Sequence, residues 1–180
     1  MQRLYFTYWL LLSLFLVGYN THAFGKALNW KSLKAEIRQK FPDVKPISTQ
    51  KLNEWLTASS LQKPMILDVR NPVEYKTSHL QNAILAENIK RAKRLLHDVQ
   101  KHQPIVVYCS VGYRSAKLAK QLMLQGFTNV SNLEGSIFQW ANEGRPVYAD
   151  GKMVKVVHPY DNKWGQLLDQ KYWKKPEEEK

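Results

Sequence analysis

Two short apolar runs, Met65 to Val69 and Ile105 to Tyr108, limit what this chain can fold into more than any other feature. Each is too short for a helix and too uniformly apolar for a strand with one wet face, so each predicts a strand buried on both sides. Around them apolar residues recur at helical spacing: Trp30, Leu33 and Ile37; Leu52, Trp55 and Leu56; Ile89, Ala92, Leu95, Leu96 and Val99; Ala116, Ala119, Leu122 and Met123; Ile137, Trp140 and Ala141. Strands alternating with helices at such intervals imply an α/β fold, a central parallel sheet covered by helices on both faces. Weaker strands are predicted at Val44 to Ile47, where Pro46 suggests a sheet edge, and at Ala83 to Leu85, and a further short strand at Val130 to Leu133.

The punctuation between these segments agrees. Phe41 and Pro42 end the first helical pattern, and Ser48 or Thr49 is placed to cap the second. After Val69, Asn71, Pro72 and Glu74 supply a capping side chain, a proline at the first helical position and a glutamate three residues past the cap. Ser115 is placed to begin the helix after the second strong run, and Gly126 to end it. The resulting division is an N-terminal helical segment over residues 24–43, a domain over 44–148 and an arm over 149–180. Tyr160 and Trp164 of the arm are expected to pack over the domain, ahead of a charged, frayed end from Lys174 to Lys180.

Residues 1–23 stand apart from the fold. Arg3 precedes an apolar run from Trp9 to Val17, and Thr21, His22 and Ala23 put small residues at both positions a signal peptidase reads. This is the pattern of a secretory signal and implies export, to a periplasm; the alternative is an uncleaved membrane anchor, with the stretch counted back to Leu4. A net charge of +12 would suit nucleic acid, but the lysines are spread along the helical stretches, with no basic motif interleaved with aromatics. A solvated basic surface that favours small anions is the plainer reading, and no nucleic-acid partner is expected. His79, His97, His102 and His158 are scattered and the chain has one cysteine, so neither a metal nor a cofactor is expected.

That cysteine, Cys109, falls just past the run Ile105 to Tyr108, at the carboxyl end of a strand, where parallel sheets bind ligands. A single cysteine in an exported chain forms no internal disulfide; it is an inert buried thiol, an intermolecular linker or a reactive group. Ser110, Val111, Gly112, Tyr113, Arg114 and Ser115 follow it as a tight turn into a helix. Backbone N–H groups in such a turn, with the positive end of the helix, stabilise an anion and lower a thiol's pKa. Gly112 lets the backbone turn, and Arg114 adds a fixed positive charge beside the thiol or its substrate. Singly, these are an ordinary buried cysteine, a turn glycine and a surface arginine; together at one strand-to-helix turn they point to a nucleophilic thiol.

Four groups of residues extend the pattern: Asp68 through Tyr75; His79, Leu80 and Ala83; the loop Cys109 through Ser115; and Leu133 through Ile137 with Trp140, Gly144, Pro146 and Val147. With them, residues Ile47 to Tyr148 resemble a rhodanese domain. The resemblance implies a rhodanese-like central parallel sheet flanked by helices on both faces. It also implies a sulfurtransferase, in which Cys109 takes a sulfane sulfur from a donor such as thiosulfate as a persulfide and passes it to cyanide, a thiol or a protein acceptor. The amides of Ser110, Val111, Gly112, Tyr113, Arg114 and Ser115 would cradle the outer sulfur. Arg114 would help hold an anionic donor, and Asp68 and Arg70 would support the site through hydrogen bonds. Glu74 and His79 read as structural, and Ser78 and Ser136 stand where the family often has glycine.

Two alternatives share the fold. Cysteine phosphatases and arsenate reductases need five residues between cysteine and arginine; here Ser110, Val111, Gly112 and Tyr113 give four, a cradle better suited to one sulfur atom than to a phosphoryl group. A non-catalytic module would bind a partner protein, with the arm as its docking surface, but such modules often lack the cysteine.

Overall fold

The computed structural model describes residues 28–59 and 62–174. The expected signal or anchor at residues 1–23 and the tail after Lys174 lie outside the described residues. The two apolar runs, with Val130 to Leu133 beside them, form the middle of a five-stranded parallel sheet. In chain order its strands are β1 (Lys45–Ile47), β2 (Met65–Asp68), β3 (Ile84–Leu85), β4 (Ile105–Tyr108) and β5 (Val130–Leu133). Spatially they run β1-β5-β4-β2-β3, so β1, with Pro46, and the two-residue β3 are the edges. Every residue of β4 and β5 is buried, as expected of strands covered on both faces. Each Val, Ile or Leu so buried contributes about 1.5–3 kcal/mol.

The helices follow the apolar spacings. They are α1 (Trp30–Lys40), α2 (Thr49–Thr57), α3 (Pro72–Thr77), α4 (Ile89–Leu95), α5 (Tyr113–Leu124) and α6 (Ser136–Asn142). Ser48 Oγ caps α2 by accepting the Lys51 N–H at 3.1 Å. Asn71 and Glu74 close a reciprocal capping box on α3, with Pro72 at its first position. Two boundaries differ from the periodicity. The α4 helix stops at Leu95 instead of reaching Val99, because the chain tightens into three-residue turns (Val99 N–H to Leu96 O, 3.2 Å) that still bury Leu96. The α5 helix begins two residues before Ser115, for a reason that belongs to the site.

After β2 the chain moves outward to β3, and after β4 it moves the other way to β5. The carboxyl ends of β2 and β4, neighbours in the sheet, therefore flank the crevice where connections diverge, the place where open α/β sheets bind ligands. Asp68 ends one of these strands and Cys109 follows the other.

Beyond α6 the end of the domain and the arm hold more structure than their composition suggests. Strands β6 (Val147–Ala149) and β7 (Lys152–Val154) form an antiparallel hairpin turned by Asp150 and Gly151, both at positive φ. A short helix α7 (Asn162–Gly165) and a 3-10 turn (Gln170–Tyr172) follow. Val157, Leu167 and Leu168 are buried in the same core as the sheet. No helix among the described residues is long and apolar enough to cross a membrane.

Candidate active site

The loop after β4 is stitched to the start of α6. The Cys109 N–H donates to Ser136 Oγ at 3.1 Å, and Ser136 Oγ donates to the Leu133 carbonyl at 3.0 Å. The carbonyls of Cys109 and Ser110 accept the Ile137 and Phe138 N–H groups at 3.2 and 3.1 Å. Gly112 then takes φ +110°, a conformation side chains rarely adopt, and its N–H donates to Cys109 Sγ at 3.1 Å. Its carbonyl accepts from Asn132 Nδ2 and from the Ala116 N–H, each at 3.1 Å. Gly112 is thus itself the cap of α5. That is why the helix starts at Tyr113 and why Ser115 lies within its first turn, with Oγ 3.5 Å from Sγ.

Cys109 is 1% exposed. Burial pushes its thiol up, but the Arg114 charge, the Ser115 hydroxyl and amide and the Gly112 amide outweigh burial and hold it below the ordinary cysteine value. The groups that touch the sulfur are donors, so the arrangement favours a thiolate.

Arg114 is held by Glu74. Its Nη1 donates to Glu74 Oε2 at 3.0 Å and its Nη2 to Glu74 Oε1 at 2.8 Å and to Ser110 Oγ at 2.9 Å. Ser110 Oγ in turn donates to Glu74 Oε1 at 2.9 Å. Glu74 is fully buried; burial raises its pKa, yet Arg114, the Asn71 amide and Arg70 together bring it below the usual carboxylate value. The glutamate read from sequence as a cap partner caps α3 and also holds the site's cation.

Asp68 and Arg70 stand behind the loop and do not line the pocket. Arg70 Nη2 donates to Asp68 Oδ2 at 2.7 Å, both side chains being fully buried, and Tyr108 OH donates to the same oxygen at 2.6 Å. Tyr108 OH also accepts the Leu80 N–H at 3.1 Å. These bonds lock together the ends of β2 and β4, so they support the residue that precedes Cys109. His79 stacks on Tyr75 at 4.1 Å and its backbone pairs with Tyr148, a structural role.

The cavity over the thiol is about 160 Å³ and is lined by Cys109, Ser110, Val111, Tyr113, Arg114, Tyr160 and Trp164. Five of these come from the expected loop; the other two come from the arm. The Tyr160 ring lies over the Arg114 guanidinium at 4.6 Å. The sequence predicts arm aromatics that cover the domain, and nothing in it places these two at the thiol. Ser136 stands out in the sequence only as a departure from glycine. At φ +50° that residue keeps the left-handed turn and adds the hydroxyl that ties down Cys109. Ser78, the other departure, is extended and buried, and its carbonyl accepts from Arg70. Among the described residues no group of three His, Cys, Asp or Glu side chains is placed to hold a metal ion.

Residues 48–143 match the family model of the rhodanese-like domain. Two curated relatives, both named tRNA uridine(34) hydroxylase, are 27% identical over 70% of this chain (Photorhabdus laumondii) and 31% identical over 68% (Buchnera aphidicola). The chain spans only 39% and 38% of their lengths. Among solved structures, a rhodanese-like domain protein from Staphylococcus aureus is 27% identical, with a TM-score of 0.51 over 59% of this chain and 99% of its own. A thiosulfate sulfurtransferase from Pseudomonas aeruginosa shares the fold, with a TM-score of 0.57 at 17% identity over 76% of this chain and 26% of its own.

Proposed function

Because the chain belongs to the rhodanese-like domain family, we propose that it is a sulfurtransferase in which Cys109 carries a sulfane sulfur as a persulfide. The Cys109 thiolate attacks the outer sulfur of a donor, and the donor's remainder leaves with the electron pair of the broken bond. The persulfide then yields its outer sulfur to a nucleophilic acceptor such as a thiol. No general base is needed where the thiolate is already favoured. The observation that carries this reading is the pair of donors on Sγ, Gly112 N–H at 3.1 Å and Ser115 Oγ at 3.5 Å, inside a loop narrower than a phosphoryl group needs. A phosphatase fits less well, since the arginine such an enzyme would turn to phosphate is here engaged by Glu74. A non-catalytic module has no use for an activated thiol.

A second reading comes from the relatives, whose names put them on a tRNA uridine. A net charge of +12 would suit an RNA backbone. Binding of tRNA that falls steeply with salt would favour this reading, and no binding at low salt removes it.

Sulfur transfer is tested by the intact mass of the protein after incubation with a sulfane-sulfur donor, before and after a thiol acceptor is added. A gain of one sulfur atom, reversed by the acceptor and absent in Cys109→Ser, is the expected result. A gain that persists in Cys109→Ser, or none with any donor, contradicts the reading. The variant should fold as the parent does, because serine fits where the thiol was.

A further inference from the structure

The arm gives the thiol pocket a wall that the matched family region, residues 48–143, does not contain. This wall is fixed to the domain. Asn142, at the end of α6, donates to the Leu167 carbonyl and accepts the Asp169 N–H, each at 2.9 Å. Val157 and Leu168 are 0% and 3% exposed. Trp164 is set by the cap of α7, where its N–H donates to Asp161 Oδ1 at 2.8 Å.

Tyr160 is held against its backbone preference. Its φ is +68°, a region a bulky side chain rarely enters, and its N–H donates to His158 Nδ1 at 3.0 Å. Strain of this kind persists where the surrounding structure imposes it, often at a ligand site. Its result here is an aromatic ring over Arg114, facing the thiol pocket beside Trp164. The charge there is already matched, because Glu74 engages both terminal nitrogens of Arg114. A dianion such as thiosulfate would shed its water against two aromatic side chains with little net charge to receive it. The cavity of about 160 Å³ is instead close to the size, roughly 150 Å³, that accepts a benzene ring.

We propose that Tyr160 and Trp164 are specificity-determining residues that select a small organic persulfide, R–S–SH with an aromatic or apolar R group, as the sulfur donor in preference to thiosulfate. The inference rests on the sulfur-transfer reading above. The Cys109 thiolate attacks the outer sulfur of R–S–SH, the S–S bond of the donor breaks, and R–S⁻ leaves with the bonding pair and takes up the proton of the transferred sulfur. The products are R–SH and the Cys109 persulfide anion. One S–S bond is lost and one is made, so no outside oxidant or reductant enters.

The test uses the full chain and two donors, benzyl persulfide and thiosulfate, with the rate of sulfur gain read by intact mass. Wild type is expected to load faster from benzyl persulfide. In Tyr160→Ala and Trp164→Ala the ratio of the two rates is expected to fall on the order of tenfold, the scale of a lost aromatic contact, and Tyr160→Phe should retain it. Faster loading of wild type by thiosulfate, or an unchanged ratio in both alanine variants, overturns the proposal and leaves sulfur transfer standing. Loading by neither donor overturns this proposal, and sulfur transfer falls with it only if no other sulfane-sulfur donor loads Cys109 either. Tyr160 is 42% exposed, so Tyr160→Ala decides the matter even if Trp164→Ala unfolds.

Discussion

A thiol buried as deeply as Cys109 would ordinarily remain protonated. It is kept below its ordinary value by Arg114 and by donors from the first turn of α5, despite burial. Ser115→Ala removes one of those donors while leaving the fold alone. Hydrogen bonds to charged groups contribute about 1.5–3 kcal/mol, so iodoacetamide should alkylate the variant's Cys109 on the order of tenfold more slowly at neutral pH. An unchanged rate would mean that the hydroxyl does not act on the thiolate. Cys109, Gly112 and Arg114 could be singled out in the sequence because three unusual residues fell at one strand-to-helix turn. The second role of Glu74 could not. A capping box explains a glutamate at that position completely, and only the fold reveals that Arg114, far along the chain, meets the same carboxylate.

At the scale of elements, the strands were most legible where burial on both faces left a mostly apolar run, as in β2 and β4, and less so in β5, where Ser131 and Asn132 are buried as well. The helix boundaries that differed did so where the backbone took over from the side-chain pattern. Gly112 caps α5 with its carbonyl, which no capping side chain announces. The hairpin of β6 and β7 did carry a signal, the Asp150 and Gly151 pair, which is the local chemistry of a tight two-residue turn. Two glycines frame the site and differ in what they tolerate. A Cβ on Gly112 would meet nothing nearer than 3.6 Å, whereas on Gly135 it would fall 2.6 Å from Gln139 Cβ. Backbone strain of about 1–3 kcal/mol applies to either residue, the more at Gly112, whose φ of +110° lies further outside the left-handed region. Crowding should add about 1–3 kcal/mol for Gly135→Ala alone. A denaturant midpoint for Gly135→Ala equal to that of the parent would refute this account.

For the whole molecule, the arm and the domain share titrating groups. Burial holds the His158 imidazole below its ordinary value, with Arg70 and Lys174 adding to burial and Glu74 opposing it. Glu74 also lies below its ordinary value, so both groups bind protons more readily in the unfolded chain. The stability each contributes is present above its unfolded value and is lost as pH falls through its folded one. The melting temperature should therefore decline as pH drops below about 6.5 and decline further through the carboxylate range, near about 4.3. A flat profile from pH 7 to 4 would contradict it. His158 Nδ1 accepts the Tyr160 N–H, so its protonation also removes the bond that holds Tyr160 in its strained conformation.

The position of the sulfur has one more consequence. A covalent dimer through Cys109 would require two copies to bring their Cα atoms within about 7 Å of each other. With the thiol 1% exposed at the floor of a pocket walled by Tyr160 and Trp164, two folded copies cannot approach so closely. The linker role that a lone cysteine leaves open is thereby closed to the native chain. In oxidising surroundings, small sulfur compounds can enter the pocket, but another folded copy cannot cross-link to the thiol.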